Sequence, residues 1–401
     1  GLTVLLLVDR SAPTVSYHSW FRVGSRNERP GKTGLAHLFE HLMFNETRNH
    51  PLGEFDRLME RAGAEANAAT WTDWTYYYEN APCDALPLLI ELEADRMANL
   101  VLRAPQITSE KEVVANERKL RVEDDVEGKA LELLYANAFK RHPYRWPTIG
   151  WMQDIQGFTV RDCRQFYRRH YCAANATVVI AGDFDERKAL RLVQKHYGSL
   201  PRAKAPPAAE LPREPTQRAE RVLTLEAPTP TEKLLLGYRA PEFSHQDTAA
   251  LVLTSELLFG GRSSRLHRAF CIEREIALSV RGSLSPFVDP GLFEIWIFVR
   301  HGCRRQEALA LLDEELDRLA TEGPTTVELK KAAAQLELSF LHSMETAGGK
   351  AEQIGFYETV AHDGAAVFER LAEFRAVTAA DVQRVSQAYL RPSRRTRVRR
   401  Y

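Results

Sequence analysis

Gly34 to Phe44 reads GLAHLFEHLMF, which sets His37, Glu40 and His41 inside an apolar pattern of Leu35, Leu38, Leu42 and Phe44. An α-helix turns once in about 3.6 residues, so His37 and His41 stack on one face, close enough for both imidazoles to reach one metal ion. Glu40 follows His37 by three residues and can stand beside such an ion without binding it. A histidine pair at this spacing, taken alone, is more often a coincidence of surface or core. The intervening glutamate and the apolar helix weaken that reading, and a third ligand decides it.

Zinc in a hydrolytic site keeps three protein ligands and an open position for water. The helix predicted over Ser109–Glu123 offers Glu110, Glu112, Glu117 and Glu123, and the first and third of these lie two turns apart on one face. Spacing alone favours a solvated acidic face there. The order H-x-x-E-H is nevertheless the inverse of the zincin order and is itself a zinc-peptidase pattern.

Outward from this helix, strands are expected at Thr3–Val8, Ser16–Val23, Ala64–Ala69, Thr75–Asn80 and Ala176–Ala181. Helices are expected near Glu54–Arg61, Leu86–Leu100, Lys129–Lys140, Arg161–His170 and Glu186–Tyr197. Residues 201–219, PRAKAPPAAELPREPTQRA, carry Pro, Ala and charge without apolar periodicity and read as a linker. After it the order of elements recurs: strands Val222–Leu225 and Lys233–Tyr238, helices Thr248–Phe259 and Ser264–Glu273, strands Ala277–Leu284 and Phe293–Val299, then long helices. The expected fold is therefore α+β, with two homologous domains (1–200 and 220–401), each a mainly antiparallel sheet covered by helices on one face. Thr248–Phe259, the counterpart in order of the first helix, contains no histidine.

The 401 residues carry 54 Lys+Arg against 54 Asp+Glu, so no global charge directs the chain to nucleic acid or an anionic membrane. The longest apolar run, Val4 to Val8, falls far short of the roughly 20 residues of a membrane span. Five cysteines form no C-x-x-C pair and read as buried or free thiols. The chain begins at Gly1, so its start reads as processed, trimmed or engineered. His142 has no partner at ligand spacing and reads as structural. Trp71, Trp74, Tyr76, Tyr77 and Tyr78 read as hairpin packing ahead of a pocket lining. The arginine-rich tail from Arg391 to Arg400 reads as a final edge strand guarded by charge.

These motifs resemble the pitrilysin/insulinase family of zinc metallopeptidases, which includes mitochondrial processing peptidase. Its signature is H-x-x-E-H followed about 76 residues later by a glutamate ligand, with another glutamate seven residues before that. Glu117 stands 76 positions after His41, and Glu110 stands seven before Glu117. SWFRVGSRNERPGKTGLAHLFEHLMFNET, RHPYRWPTIGWMQDI, HYCAANATVVIAGDF and GGRSSRLHRAF also look like family sequence. The resemblance implies one Zn²⁺ per chain on His37, His41 and Glu117, with Glu40 as general base and Glu110 orienting a ligand histidine. It also implies that Asn67, Ala68, Ala69 and Thr70, the family's N-A-x-T segment, form an exposed edge strand that pairs with substrate main chain.

Family peptidases complete in one assembly carry an arginine and a tyrosine, seven residues apart, after the SSRL helix of the second half. Here GGRSSRLHRAFCIEREIALSV puts Cys271 and Leu278 at those positions, and neither donates a strong hydrogen bond to an oxyanion. The resemblance thus implies a zinc metalloendopeptidase subunit acting on extended peptides or unfolded segments, paired with a homologous chain that carries the arginine and tyrosine. A homodimer is the alternative assembly. A non-catalytic core or peptide-binding subunit is the competing function, disfavoured because all of H-x-x-E-H is kept, and another metallohydrolase is weaker still. Bacterial relatives are often exported, which implies a periplasmic or secreted protein, with the cytoplasm as alternative.

Overall fold

Alternation along Thr14–Phe21, TVSYHSWF, sends Val15, Tyr17 and Phe21 to one side and Ser16, His18 and Trp20 to the other, and all six are buried. A strand buried on both sides belongs inside a sheet with both faces covered. The computed structural model describes residues 1–201, 204–207, 211–226 and 232–400, and it shows what covers each face.

The first half runs β1 (Thr3–Val8), β2 (Thr14–Phe21), α1 (Leu35–Leu42), α2 (Glu54–Arg61), β3 (Glu65–Thr70), β4 (Thr75–Pro82), α3 (Leu86–Asn99), α4 (Ala104–Arg118), α5 (Val126–Ala138), α6 (Met152–Gln156), α7 (Val160–His170), β5 (Ala176–Gly182) and α8 (Glu186–Tyr197). The second runs β6 (Arg221–Leu225), β7 (Lys233–Arg239), α9 (Thr248–Phe259), α10 (Arg265–His267), β8 (Ala277–Leu284), β9 (Leu292–Val299), α11 (Arg305–Glu322), α12 (Thr326–Ser343), α13 (Ala347–Val360), α14 (Arg370–Ala376), α15 (Ala379–Tyr389) and β10 (Arg395–Arg400). The helix expected over Ser109–Glu123 begins earlier, at Ala104, and its end is a π-helical turn, Lys119–Glu123.

The chain divides into two compact units: Gly1–Leu120 with Trp146–Leu211 and Ser343–Val367, and Arg121–Arg145 with Pro212–His342 and the chain from Phe368 onward. Each linear half thus lends a segment to the unit of the other, which the expected division at 1–200 and 220–401 does not contain. The linker read over 201–219 lies partly outside the described residues.

In the first unit the sheet order is β1-β5-β2-β4-β3, with β1 parallel to β5 and the other neighbours antiparallel. One face packs Val15, Tyr17, Phe21, Val178 and Ile180 against Leu35, Leu38, Leu89 and Leu92 of α1 and α3. That is the expected helical layer. The other face carries one more helix, α13, which is drawn from the second half of the sequence and lies over β2 and β5. Gly355 of α13 passes so close to Trp20 that a Cβ there would sit 2.0 Å from the indole Nε1. Gly355→Leu is therefore expected to destabilise this unit by about 1–3 kcal/mol, because overpacking outweighs the gain in helix propensity. An unchanged urea midpoint would show that α13 is not seated on Trp20.

The second unit repeats the topology as β6-β10-β7-β9-β8, again with one parallel pair, β6 with β10. Here the arginine-rich tail departs from expectation. β10 is an interior strand between β6 and β7, not an edge. Two of its arginines are paired with carboxylates: buried Arg395 meets Glu220 at 2.7 Å and Asp313 at 2.5 Å, and Arg397 meets Glu220 at 3.1 Å. Carboxylate pairing lets arginines stand inside a sheet.

Of the hairpin aromatics, Tyr76 and Tyr77 are buried and serve packing, Tyr76 stacked on Trp20 at 4.2 Å, while Trp74 and Tyr78 are half-buried and Trp71 is exposed. His142 pairs with Asp289 at 3.1 Å. All five cysteines are free thiols. Among the described residues, no helix is long and apolar enough to cross a membrane.

Candidate metal centre

Helix α1 is preceded by Gly34 at its N-cap, whose φ of 94° lies in the left-handed region where glycine is at ease. Leu35, Leu38, Phe39 and Leu42 point into the core, and this fixes the helix about its axis. His37 and His41 then share another face, their ring centroids 5.0 Å apart. Tyr77 of β4 donates its hydroxyl to the carbonyl of Phe39 at 3.0 Å and ties the middle of α1 to the sheet.

Across from this face, α4 presents Glu117 and Glu110. Nε2 of His37 and Nε2 of His41 each lie 3.5 Å from Oε2 of Glu117. Ligand atoms of His37, His41 and Glu117 all fall within 4.8 Å of one another, and no other such trio occurs among the described residues. Ligands about 2.1 Å from a tetrahedral Zn²⁺ sit roughly 3.4 Å apart. The two 3.5 Å separations to Glu117 match that edge, and two imidazoles with a carboxylate are a donor set of the kind zinc takes. The trio fits a zinc ion.

Glu110 faces the other nitrogen of His41, with Oε2 at 3.5 Å from Nδ1, and accepts a hydrogen bond from Asn45 Nδ2 at 3.1 Å. Asn45 had no part in the sequence reading. Its signal was its place, four residues after His41. Burial pushes the His41 imidazole down, yet Glu110 and Glu117 outweigh it and hold the ring up at about 9. The hydrogen bond with His41 holds the Glu110 carboxyl below its ordinary range, against burial.

Glu40 is half-buried on α1. Burial pushes its carboxyl up, Thr70 draws it down through side chain and main chain, as does His41, and Glu117 raises it again. Thr70 ends β3, which pairs with β4 on one side and forms the edge of its sheet. Along β3, Asn67 is exposed, Ala68 and Ala69 are half-buried and Thr70 is buried; the Ala68 amide donates to the side-chain oxygen of Asn67 at 2.8 Å. The base candidate and the edge-strand candidate thus meet at Thr70. Beside His41 and Glu110 opens a cleft of about 540 Å³ with Phe44, Leu52 and Ser109 in its walls.

In the second unit α9 takes the place of α1 and carries no histidine. Cys271 is half-buried in a π-helical turn, Arg268–Glu273. Leu278 is 57% exposed at a β-bulge, where the register of β8 shifts between Ala277 and Ser279.

Two family models match the sequence: one described as insulinase (peptidase family M16) over residues 3–150, and one described as peptidase M16 inactive domain over residues 157–336. A relative named zinc protease PqqE, from Helicobacter pylori, is 32% identical over 405 residues, covering 99% of this chain and 90% of that protein. The mitochondrial-processing peptidase subunit beta of Lentinula edodes is 25% identical, covering 97% and 86%. A crystal structure of a protease from Helicobacter pylori matches with a TM-score of 0.93 at 29% identity, over 100% of this chain and 97% of that one.

Proposed function

The chain belongs to the insulinase family of peptidases, M16, and from that premise we propose that it is a zinc metalloendopeptidase subunit hydrolysing peptide bonds in extended peptides or unfolded segments. The observation that carries this reading is the convergence of His37, His41 and Glu117 beside Glu40. His37, His41 and Glu117 would hold one Zn²⁺ per chain, and Glu110 with Asn45 would orient His41. Bound there, the ion supplies a water whose pKa falls from about 15.7 toward about 7 and polarises the scissile carbonyl. Glu40 takes a proton from the attacking water and delivers it to the leaving amine. The free edge of β3, Asn67 to Thr70, adds the substrate main chain as a strand, which reads backbone in preference to side chains.

A second reading, a non-catalytic core or peptide-binding subunit, draws support from Cys271 and Leu278, neither of which donates strongly to an oxyanion. We combine the two observations: this chain supplies the zinc site, and a homologous partner supplies the arginine and tyrosine. We place it in the periplasm or outside the cell, with the cytoplasm as the alternative that cell fractionation would reveal.

Metal analysis of the purified chain tests the central step. About one Zn²⁺ per chain is expected, removable by chelator and restored by added Zn²⁺. A chain that takes up no zinc at neutral pH would sink the reading.

A further inference from the structure

The two helices that carry the metal-ligand candidates, α1 and α4, are joined by a third piece of chain. Thr33, immediately before α1, is 1% exposed, and its Oγ1 accepts the amide of Trp151 at 2.9 Å. The same hydroxyl donates to Asp154 Oδ2 at 2.6 Å, and the Thr33 amide donates to that oxygen at 3.0 Å. On the other side Arg118, the neighbour of Glu117, is 5% exposed and donates from Nη1 to the carbonyl of Gly150 at 2.8 Å. Its guanidinium lies over the Trp151 ring, 5.6 Å from the centroid. Lys111, the neighbour of Glu110, donates from Nζ to the carbonyls of Gln156 at 2.6 Å and Phe158 at 3.1 Å.

Backbone packing makes this joint stiff. A Cβ on Gly150, whose φ is 84°, would lie 2.2 Å from the Thr33 carbonyl oxygen and 2.5 Å from the Gly34 Cα; one on Gly34 would lie 2.5 Å from the Ile149 carbonyl oxygen. The residues from Ile149 to Phe158, with α6 at their centre, therefore grip α1 at its first turn and α4 beside Glu110 and Glu117. A donor trio spanning two helices keeps its geometry only if their separation is fixed, and supporting contacts around metal ligands are worth about 10–100-fold in affinity or activity.

We infer that the segment Ile149–Phe158 is the positioning element of the metal site, and that Thr33, Arg118 and Lys111 are positioning residues acting through it on His37, His41 and Glu117. The inference rests on the zinc reading above and deepens it. None of the three belongs to the donor trio; each sets where a ligand-bearing helix stands.

The test measures Zn²⁺ affinity by chelator competition and, separately, the urea midpoint of the metal-free protein, for wild type, Thr33→Val, Arg118→Leu and the double variant. Each single variant should lose about tenfold in affinity, at the low end of the outer-shell range. The double should lose less than the product of the two, because both act through one segment. Thr33→Ser, which keeps the hydroxyl, should restore affinity. Lys111→Met, on a half-buried tether, gives the same readout should a buried variant fail to fold. Lower urea midpoints with unchanged affinity, or strictly additive losses, would overturn the positioning role while leaving the zinc reading intact. A wild-type chain without zinc affinity would overturn both.

Discussion

Glu40→Gln is expected to retain Zn²⁺ and to hydrolyse peptides about 10²–10⁴-fold more slowly, the usual worth of a positioned general base. The amide keeps the shape of the carboxylate but cannot accept a proton from the attacking water. His41→Ala is the contrasting variant. It removes one of the three converging donors and leaves two, which hold zinc poorly, so stoichiometric metal should be lost together with hydrolysis. The pair is read by metal content and turnover of the same samples. Loss of zinc from Glu40→Gln would make Glu40 a ligand and remove the general base from the mechanism. Tight stoichiometric zinc in His41→Ala would break the ligand assignment instead.

Burial is the largest influence on Glu40 and leaves its carboxyl above the ordinary range, with Thr70 and His41 offsetting only part of that rise. Thr70 is also the last residue of the free edge strand. A peptide added along β3 would run toward Glu40, which links backbone recognition to the proton transfer without requiring a particular side chain in the substrate.

The parts of this site that follow a period were legible in the sequence. His37 with His41, and Glu110 with Glu117, stand one and two turns apart, and the helical repeat puts each pair on one face whatever the rest of the chain does. The strands Thr3–Val8 and Ala277–Leu284 and the helices Glu54–Arg61, Glu186–Tyr197 and Thr248–Phe259 form with the bounds their apolar patterns suggest. What escaped depends on contacts between distant segments. Nothing local in Ala347–Val360 says that it covers Trp20, more than 300 residues earlier; the small residues that permit the approach are visible only once Gly355 meets the indole. The position of β10 was missed for the same reason. Its arginines look like edge guards until Glu220 and Asp313 are seen beside them. Arg118 and Gly150 likewise carry no pattern of their own, and their link appears only when the loop before α6 is laid against the end of α4.

The assembly prediction follows from Cys271 and Leu278. Burial pushes the Cys271 thiol up, so the group stays a neutral, weak donor, and Leu278 has no donor at all. At a β-bulge a side chain is re-aimed relative to its neighbours, so a tyrosine at position 278 would leave the strand in a direction of its own. Two copies of this chain would bring two zinc sites and no arginine–tyrosine pair. The chain alone is accordingly expected to turn over peptides slowly or not at all. Addition of a homologous subunit that carries the pair should raise the rate by about 10²–10³-fold, the cost of a lost oxyanion donor in a protease. Such a partner could lack the H-x-x-E-H residues without penalty, since this chain keeps them. The assay is turnover of an unstructured peptide by the chain alone over a range of concentrations, then by the double variant Cys271→Arg with Leu278→Tyr. A rise on restoring the pair, with zinc content unchanged, supports division of labour between two chains. Robust turnover by the unmodified chain, unaffected by the double substitution, would make it a complete homomeric peptidase whose oxyanion is stabilised by other groups.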